Sequence, residues 1–598
     1  MLERLTDKRV DPDWLNTNFP CMMACPAGTH AGRYVALIAE GRFEEAYRYA
    51  RDPNPMASVC GRVCAHPCET ACRRGAIDQP IAIRALKRFL TERYGPESRT
   101  PLAPKTCIAP AIDRRIAIIG SGPVGLSAAH DLALLGYSVT IFEAARVAGG
   151  MLQLGIPEYR LPRAVVEAQL REILGCGDIT LKLNTAAGRD FTIAQLREQG
   201  FDAVVLAVGA HRSRDLSIPG IELDGVHKGI EFLLNVNLGY RFTIGNKVVV
   251  IGGGNVAMDV ARSAMRVATR EMVDVSLSAL RLGAREVSIV YRRRRDQMRA
   301  AAEEIEEMQI EGVRLCEGRT PARILGSQGK VSGLETTASD GSSSVIECDT
   351  VILAIGQAPR LDFLSPEDGV ELSPRGLIDA DPRTLMTSAP GIFAGGDCVF
   401  GPRLIIDSVG DGKRIARGID EYLTGRIRPE PEIEVEILSS HRMTPEYMDL
   451  ARQIIPTVAL ERRTGITEVE MVFDAETAKR EAQRCLHCWI NTVFEGNEPD
   501  GSECTLCGGC VDVCPENCIQ IVSLDRLDFP REVLDGMERD AGIFRVELDD
   551  LAAGDLGTIT GSTMLKDETR CIRCGLCAER CPVGAITMEA WSLSGALL

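Results

Sequence analysis

The chain has 598 residues, which is enough for several domains and too many for a single hydrophobic core. Its hydrophobic fraction of 45% and charged fraction of 25% are ordinary for a globular protein. A formal net charge of −16 argues against general nucleic-acid binding. No apolar run reaches the roughly 18–20 residues of a membrane span, and the first residues contain no apolar signal core. We therefore expect a cytoplasmic protein that is not inserted in a membrane.

The 22 cysteines are the most unusual feature of the composition. Most of them fall in two clusters, at 21–72 and 485–581. In a long chain without a signal sequence this clustering indicates metal binding rather than a disulfide framework. The remaining five stand singly, and we interpret them as small core hydrophobes. They are Cys107, Cys176, Cys316, Cys348 and Cys398.

Six cysteines with a recurring C-x3-C spacing lie within 21–72. Helical periodicity over 32–40, 43–50 and 81–94 predicts an α-helical domain. A C-x3-C repeat could be a buried helix stripe, but Pro67 and the clustering of thiols favour a metal site. Zinc competes with iron–sulfur clusters as the metal, because thiolates bind zinc readily. The six are Cys21, Cys25, Cys60, Cys64, Cys68 and Cys72.

A dinucleotide-binding pattern follows at 115–143. Ile116–Ile119 is a short apolar run that predicts a buried parallel strand, and helical spacing follows the glycines. A second strand ends at Glu143, about 20 residues past the glycines, where a carboxylate accepts from a ribose hydroxyl. Glycines let the backbone approach a pyrophosphate at the positive helix N-terminus, although an ordinary tight turn is the alternative. The three glycines are Gly120, Gly122 and Gly125.

Later segments predict further strands beside the two nucleotide sites. The segments 201–209 and 350–356 are buried strands that run into glycine. The segment 391–397 ends in an aspartate that would face a flavin ribityl or phosphate region. We assign to this site, besides the glycines and Glu143, the residues Gly150, Met151, Gly209, Gly396 and Asp397.

A second strand-turn-helix, KVVVIGGGNVAMDVAR, spans 247–262 and fits the G-x-G-x-x-A variant. The next strand ends at Arg292 and Arg293, where arginine suits the 2′-phosphate of NADP because a guanidinium fork matches a phosphate. A solvated charge run is the alternative, chiefly for Arg294 and Arg295. The 40 residues from Gly252 to Arg292 imply an insertion near 267–280. The predicted nicotinamide site also contains Gly252, Gly254, Asn255, Ala257 and Gly356.

Two such units predict a two-dinucleotide flavoprotein, with FAD on the first unit and the nicotinamide on the second. The expected fold is therefore multidomain α/β, with Rossmann-like units between an N-terminal helical iron–sulfur domain and a C-terminal α+β ferredoxin domain. We expect domain boundaries as follows: an iron–sulfur domain at 1–110, an FAD domain at 111–244 and 376–428, a NAD(P) domain at 245–375, a connector at 429–490, and a ferredoxin domain at 491–598.

The most specific motif is a doubled C-x2-C-x2-C-x3-C-P run, typical of bacterial ferredoxins. In such a run the first three thiols bind one cubane and the fourth crosses to the other cluster. Cys518 lies outside the pattern, and the spacing between the two runs requires an insertion. One predicted [4Fe–4S] cluster has the ligands Cys504, Cys507, Cys510 and Cys581; the other has Cys571, Cys574, Cys577 and Cys514.

A further C-x2-C pair, Cys485 and Cys488, ends the connector after a predicted helix. A thioredoxin-like redox pair is the alternative, but no βαβ pattern surrounds it. His487 between the two thiols is interpreted as incidental rather than as a ligand.

With these residues in hand, the chain resembles the small subunit of NADPH-dependent glutamate synthase. It also resembles the N-terminal half of dihydropyrimidine dehydrogenase and the large subunit of NADH-dependent ferredoxin:NADP oxidoreductase. The likeness covers roughly 20–430. It depends on GRVCAHPCETAC at 61–72, GSGPVGLSAA at 120–129, GIPEYRLP at 155–162, GGGNVAMD at 252–259, VYRRRRDQM at 290–298 and GIFAGGD at 391–397.

The resemblance implies two N-terminal [4Fe–4S] clusters, and this chain departs from the family pattern at both. The family's C-x2-C before the C-x3-C-P is absent here, yet AKREAQRCLHC stands at 478–488. We hypothesise that this displaced segment folds back, so that one cluster is bound by Cys21, Cys72, Cys485 and Cys488. The second would use Cys25, Cys64 and Cys68, but Lys87 and Arg88 stand near the family's Glu or Gln ligand. Either Cys60 substitutes or this cluster is absent.

The predicted activity is FAD-dependent NAD(P)H oxidation coupled to iron–sulfur electron transfer, with no catalytic side chain nominated. Cofactors are FAD, NADP(H) with NAD(H) left open, two C-terminal [4Fe–4S] clusters and one or two N-terminal ones. The chain would be an electron-transfer subunit of a hetero-oligomer that serves ferredoxin, glutamate synthase or a 2-oxoacid:ferredoxin oxidoreductase. Two alternatives stay open: an autonomous NADPH:ferredoxin oxidoreductase, and a non-catalytic electron-wiring or assembly subunit.

Overall fold

The structure is a computed structural model. It describes residues 16, 18–103, 109–240, 242–266, 284–427, 432–438, 441, 449–494, 504–523, 562–567 and 570–594. The insertion predicted near 267–280, Cys107 and most of the insertion predicted between the two ferredoxin motifs lie outside these residues. Within the described residues, no helix is both long and apolar enough to cross a membrane.

The N-terminal domain is helical, as its periodicity predicts. Its longest helix buries one face against the others, with Leu86 and Phe89 in a core shared with Tyr34 and Leu37. Its helices are α1 Pro20–Met23, α2 Ala31–Ala39, α3 Phe43–Arg51, α4 Ala57–Val63, α5 Pro67–Thr70 and α6 Ile83–Tyr94, with a 3₁₀ turn at Arg73–Ala76.

The first Rossmann-like unit is a five-stranded parallel sheet of order β15-β4-β1-β2-β3. β-branched and apolar residues bury both faces of β1, and Pro123 at the first turn favours the helix that follows. The elements are β1 Arg115–Ile119, α7 Pro123–Leu134, β2 Ser138–Phe142, α8 Met151–Leu154, α9 Arg163–Leu174, β3 Ile179–Lys182, α10 Ile193–Glu198 and β4 Ala203–Leu206. The unit is completed after the second one by β15 Ile392–Ala394, α14 Asp397–Phe400 and α15 Ile405–Thr424.

The second unit is another parallel sheet, of order β6-β13-β7-β8-β9. Its edge strand β6 precedes residue 245, so pairing in this sheet begins earlier than the expected boundary. The elements are β5 Arg212–Ser213, β6 Val226–Lys228, α11 Gly229–Asn237, β7 Lys247–Ile251, α12 Asn255–Arg266, β8 Glu286–Tyr291, α13 Ala302–Ile310, β9 Arg314–Glu317, β10 Arg319–Ser327, β11 Lys330–Ala338, β12 Ser343–Glu347, β13 Thr350–Leu353 and β14 Gln357–Ala358. Strands β10–β12 form an antiparallel meander, and β5 pairs with β14 between the two units.

The described part of the ferredoxin domain contains two short helices and two antiparallel sheets. One sheet has the order β16-β20-β17, so a strand from the predicted connector joins the ferredoxin sheet. The other pairs β18 with β19. The elements are β16 Glu432–Leu438, α16 Ala475–Ala482, β17 Ile490–Phe494, α17 Gly509–Asp512, β18 Ile519–Ser523, β19 Ser562–Lys566, α18 Leu576–Arg580 and β20 Ile586–Ser594.

The connector helix α16 packs on the N-terminal domain, more than 380 residues away in the chain. Asp474 caps it by accepting a hydrogen bond from the Thr477 amide at 2.7 Å. Ala478 and Ala482 are fully buried in the same core as Leu37 and Leu86. The chain therefore folds back on its N-terminal helices at this point.

Candidate functional site

One cavity of about 1610 Å³ lies between the two Rossmann-like units and is lined by both. Most of the nucleotide-site residues predicted from the sequence line it. From the first unit these are Gly120, Gly122, Glu143, Gly150, Met151, Gly209 and Asp397; from the second they are Gly252, Gly254, Asn255, Arg292, Arg293 and Gly356. Gly125, Ala257 and Gly396 do not line it.

One glycine in each unit lets the first turn of that unit pass close to the neighbouring strand. Gly120 has φ +105°, and a Cβ there would lie 2.4 Å from the carbonyl oxygen of Ala207. Gly252 has φ +155°, and its Cβ would lie 2.3 Å from the Ala354 carbonyl oxygen. Any side chain at either position would push the turn away from the sheet.

Gly122 and Gly254 leave space at the same turns. A Cβ at either position would meet no atom within 4 Å, so each turn presents an open cradle to the cavity. Gly125 instead serves packing, because its Cβ would lie 2.1 Å from the Gly120 carbonyl oxygen. Open backbone at a helix N-terminus fits a pyrophosphate, so both turns fit a dinucleotide.

Glu143 is held in place at the end of β2. The backbone amides of Ser121 and Ala145 donate to its carboxylate at 2.9 and 2.8 Å, and the Ser121 hydroxyl donates at 2.6 Å. The carboxylate is therefore fixed beside the glycine turn with its remaining acceptor capacity toward the cavity.

The far end of the first unit presents a buried acid and a helix N-terminus. Burial raises the pKa of Asp397 to about 6, and repulsion from Asp411 and Asp407 adds to the shift although the Arg403 amide opposes it. The first turn of α15, at Ile405 and Ser408, also lines the cavity. These groups place backbone amides and a weakly acidic carboxyl opposite the Gly120 turn.

The arginines after β8 separate into two pairs. Arg292 and Arg293 line the cavity, whereas Arg294 and Arg295 do not. Arg295 lies 3.7 Å from Glu306 instead. A 2′-phosphate on the second unit would therefore meet the first two guanidinium groups.

The two units are joined by a contact that the sequence did not reveal. Arg160 binds Asp259 at 2.8 Å with one nitrogen and Glu304 at 2.8 Å with the other. The neighbouring ring of Tyr159 lies under the guanidinium groups of Arg262 and Arg266, 5.0 and 4.1 Å from its centroid. Ion pairs of the segment 155–162 therefore join the flavin and nicotinamide sides of the cavity.

Cys21, Cys72, Cys485 and Cys488 line one small apolar cavity in the N-terminal domain. Burial and the neighbouring thiols of Cys488 and Cys72 raise the pKa of Cys21 above its usual range. Burial and the same kind of repulsion raise the pKa of Cys485. Thiols crowded in this way fit a shared cationic group, because each thiolate repels the others until positive charge lies between them.

Arg484 fixes the segment that carries two of these thiols. Its guanidinium is fully buried and donates to Glu481 at 2.8 Å, Asp78 at 3.0 Å and the carbonyls of Gln79 and Leu450 at 2.7 and 2.9 Å. The C-x2-C pair is thereby tied to the loop after Cys72 as well as to its own helix.

A second thiol group lies beside the first, made of Cys25, Cys60, Cys64 and Cys68. Cys60 and Cys64 share a side-chain hydrogen bond, and Cys25 and Cys64 help burial to raise the pKa of Cys68. Val63 and Ala65 line the large cavity, so this group adjoins the nucleotide site.

The ferredoxin domain brings its two predicted sets together. Cys504, Cys507, Cys510 and Cys581 line one cavity. In the other set, burial and the thiols of Cys571 and Cys514 raise the pKa of Cys574, and burial with Cys571 and Cys574 raises that of Cys577 to about 12. Cys518, outside the motif, is buried with its sulfur 3.3 Å from that of Cys514.

Among the described residues, no three Cys, His, Asp or Glu side chains are arranged to hold a single metal ion. Thiols that converge more loosely on one cavity fit a cluster, which is larger than an ion.

Three family models match the chain. The pyridine nucleotide-disulphide oxidoreductase model matches 114–412, which is half of the chain. The chain belongs to this family. The dihydropyrimidine dehydrogenase domain II, 4Fe-4S cluster model matches 16–98, and the 4Fe-4S dicluster domain model matches 503–585.

Three curated relatives extend the likeness over most of the chain. The beta subunit of NADP(+)-dependent formate dehydrogenase from Moorella thermoacetica is 39% identical, over 79% of this chain and 70% of its own. The NADPH-Fe(3+) oxidoreductase subunit beta of Geobacter sulfurreducens is 34% identical, over 79% and 75%. The small chain of NADPH glutamate synthase from Halomonas elongata is 30% identical, over 67% and 88%.

These matches confirm the predicted fold class and the resemblance to the glutamate synthase small subunit. They also confirm an FAD-dependent NAD(P)H oxidoreductase with [4Fe–4S] clusters in its N-terminal and C-terminal domains. The ligand residues themselves stay predictions.

Sequence reasoning missed residues that act through position rather than through a motif. Arg160 stands in a quoted motif, but only the structure gives its partner on the second unit. Arg484 directly precedes Cys485, and the RCL spelling was the available signal. Lys87 stands near the family's ligand position, but the sequence does not predict its burial beside the second thiol group.

Proposed function

We propose that this chain is the NADPH-linked electron-transfer subunit of a larger oxidoreductase. In this proposal electrons pass between the nicotinamide site, the flavin site and four [4Fe–4S] clusters, and leave or enter at the ferredoxin end. One observation carries it: the four thiol groups form a continuous series that begins at the nucleotide cavity and ends at an exposed cysteine.

The series begins with the group of Cys25, Cys60, Cys64 and Cys68. The residues on either side of Cys64 line the nucleotide cavity. Pro26 packs against Gly410 in α15, where a Cβ would lie only 2.7 Å from the proline ring. This close contact fixes the first thiol group against the flavin side of the cavity.

The second group follows directly because the two share short chain segments. Cys21 and Cys25 are separated by three residues, as are Cys68 and Cys72. The Tyr34 side chain is near thiols of both groups: burial raises its pKa, and the thiols of Cys68, Cys21 and Cys25 raise it further.

The third group meets the second across the boundary between domains. Leu486 and Ile572 form a small apolar cluster against which Cys488 and Cys574 pack. Arg73 donates to the carbonyl of Cys571 at 3.0 Å. The C-terminal domain therefore presents its Cys571 loop to the C-x2-C segment.

The fourth group is at the surface. Cys507 is exposed, and the adjoining Leu506 is 40% exposed. An exposed ligand leaves this cluster within reach of another protein. We propose that a partner subunit or a ferredoxin docks here, in keeping with the beta-subunit and small-chain names of the relatives.

The residues of the cavity would bind and orient the two nucleotides. A bound flavin accepts hydride from a nicotinamide and returns electrons singly to clusters. The turns at Gly122 and Gly254 would bind the two pyrophosphates, and Glu143 would accept from a ribose hydroxyl of FAD. Arg292 and Arg293 would bind the 2′-phosphate that distinguishes NADPH from NADH.

The test is anaerobic titration of the purified full chain with NADPH and with NADH, followed by flavin absorbance. We expect NADPH to bleach the flavin at lower concentration than NADH, and the cluster spectrum to change after it. Replacing Arg292 and Arg293 by alanine should raise the NADPH concentration needed about tenfold or more, because each charge-assisted bond to phosphate contributes about 1.5–3 kcal/mol. Arg294→Ala is the matched control.

Bleaching by neither nucleotide would contradict the proposal and favour the non-catalytic wiring subunit. Bleaching together with rapid reduction of free ferredoxin by the isolated chain, and no co-purifying subunit, would favour the autonomous oxidoreductase instead. Isolation of the chain from its source with a stably bound oxidoreductase subunit is the result that the proposal predicts.

A further inference from the structure

The thiol group nearest the nucleotide cavity contains one more cysteine than the three that the resemblance assigns to its cluster. Cys60 is fully buried near the end of α4, one turn before Cys64. Its side chain shares a hydrogen bond with that of Cys64, and Cys25 acts on it electrostatically. Cys60 thus lies close to Cys64 and Cys25, and these two are also near Cys68.

Lys87, on α6, approaches three of these four sulfurs. Its side chain is 7% exposed, and its positive charge acts on the thiols of Cys60, Cys64 and Cys68. Its ammonium lies 5.8 Å from the centroid of the Tyr34 ring. It has no ion pair with any carboxylate in the described part of the chain.

The neighbouring charges are already paired with one another. Arg88 turns away from the thiols and binds Glu92 at 2.7 Å and Glu468 at 2.9 Å. Glu69, the acid beside Cys68, binds Arg452 at 2.9 Å and accepts from the Arg84 amide. Lys87 is therefore left facing the thiols.

A buried cation needs a compensating negative charge close by. Four thiolates around an iron–sulfur cluster supply one, whereas neutral thiols do not. An ammonium is not itself a ligand, because it has no free lone pair. Cys60 is thus the side chain present to complete the set, and Lys87 is a neighbour of the cluster that changes its reduction potential.

We propose that Cys60 is the fourth ligand of a [4Fe–4S] cluster held with Cys25, Cys64 and Cys68, and that Lys87 is a positioning residue that raises the reduction potential of this cluster. The inference rests on the proposed function, since it assigns the cluster that exchanges electrons with the flavin first. A nearby cation favours the reduced cluster, which carries one more negative charge than the oxidised one.

The test of the ligand uses the full chain purified without oxygen, with iron counted per protein. Cys60→Ser should lose the iron of one cluster while its circular dichroism stays that of the native chain. The matched control is Cys176→Ser, at an equally buried cysteine remote from the four thiol groups. Full iron in the Cys60 variant would overturn the assignment.

The test of Lys87 uses a redox titration with chemical mediators, followed by electron paramagnetic resonance. Lys87→Met should keep its iron but lower the equilibrium constant for reducing one cluster about tenfold, a shift of about 59 mV for one electron. Lys87→Arg, which keeps the charge, should restore most of the potential. An unchanged potential in Lys87→Met, or an equal loss in both variants, would overturn the role of the charge.

Neither measurement uses a nicotinamide, so both separate this inference from the proposed function. A chain that NADPH does not reduce could still show the ligand loss and the potential shift. Conversely, an active chain with full iron in Cys60→Ser would leave the proposed function standing and refute this inference.

Discussion

Arg484 provides a direct perturbation of the fold-back that brings the C-x2-C segment to the N-terminal domain. Its buried guanidinium donates to two carboxylates, those of Glu481 and Asp78, and to carbonyls of three other residues. Arg484→Met keeps much of the side-chain volume and removes all of these bonds. The matched control is Arg480→Met, an exposed arginine on α16.

The free-energy cost of Arg484→Met follows from the buried carboxylate that loses its cationic partner. Glu481 is fully buried and keeps only two backbone donors, the amides of Ala82 and Gln453, at 2.8 and 2.7 Å. Removing one partner of a buried ion pair costs about 3–5 kcal/mol. At 1.36 kcal/mol per factor of ten, the docked state of the segment loses about 100- to 5,000-fold in its equilibrium with the undocked state.

Hydrogen exchange measures this equilibrium in the intact chain. The amides of α16 should exchange about 100- to 5,000-fold faster in Arg484→Met than in the native chain, provided that they exchange through local opening. The amides of α7, in the first Rossmann-like unit, should not change. Equal exchange in Arg484→Met and Arg480→Met would refute the reasoning that Arg484 holds the segment in place.

Three other predictions concern the nucleotide cavity. Arg160→Met should slow flavin reduction by NADPH in stopped-flow measurements, because Asp259 then lacks its partner across the two units; Arg160→Lys should be affected less, and equal rates in all three would contradict this. Gly120→Ala should abolish most flavin retention, because its Cβ would overlap the Ala207 carbonyl oxygen; normal flavin content would contradict it. Asp397→Asn should raise the melting temperature at pH 7 but not at pH 4. Burial raises the pKa of the Asp397 carboxyl to about 6 in the folded state. Between the lower pKa of the unfolded chain and about pH 6, the ionising carboxyl therefore destabilises the native fold increasingly. An equal shift at both pH values would contradict this sign.

The sequence was informative wherever chemistry needs a fixed local spacing. The glycine turns, their strands and the doubled ferredoxin motif are contiguous, and the strand β1 and helix α7 lie where the pattern predicts them. No local physical pattern encodes a contact between Cys485 and Cys21. The fold-back of this segment was suggested only by its RCL spelling, which resembles the family's.

Long-range pairings were beyond the sequence for a physical reason. The bond from Arg160 to Asp259 joins residues that are ordinary surface charges in any local window. Strand β16 has the alternation of an edge strand, but its pairing with β20 depends on the fold of the whole ferredoxin domain. Local periodicity predicts whether a segment is a helix or a strand. Which distant segment it pairs with depends on packing across the whole fold.

The most direct measurement of the central proposal is the double variant Cys485→Ser/Cys488→Ser, mixed with NADPH without oxygen beside a Cys348→Ser control. We expect the double variant to lose the iron of one cluster and its flavin to bleach at the native rate, while the clusters of the ferredoxin domain stay oxidised. Full iron with complete reduction of the ferredoxin domain would contradict it, because electrons would then reach the C-terminal clusters without the thiol group that joins the two domains.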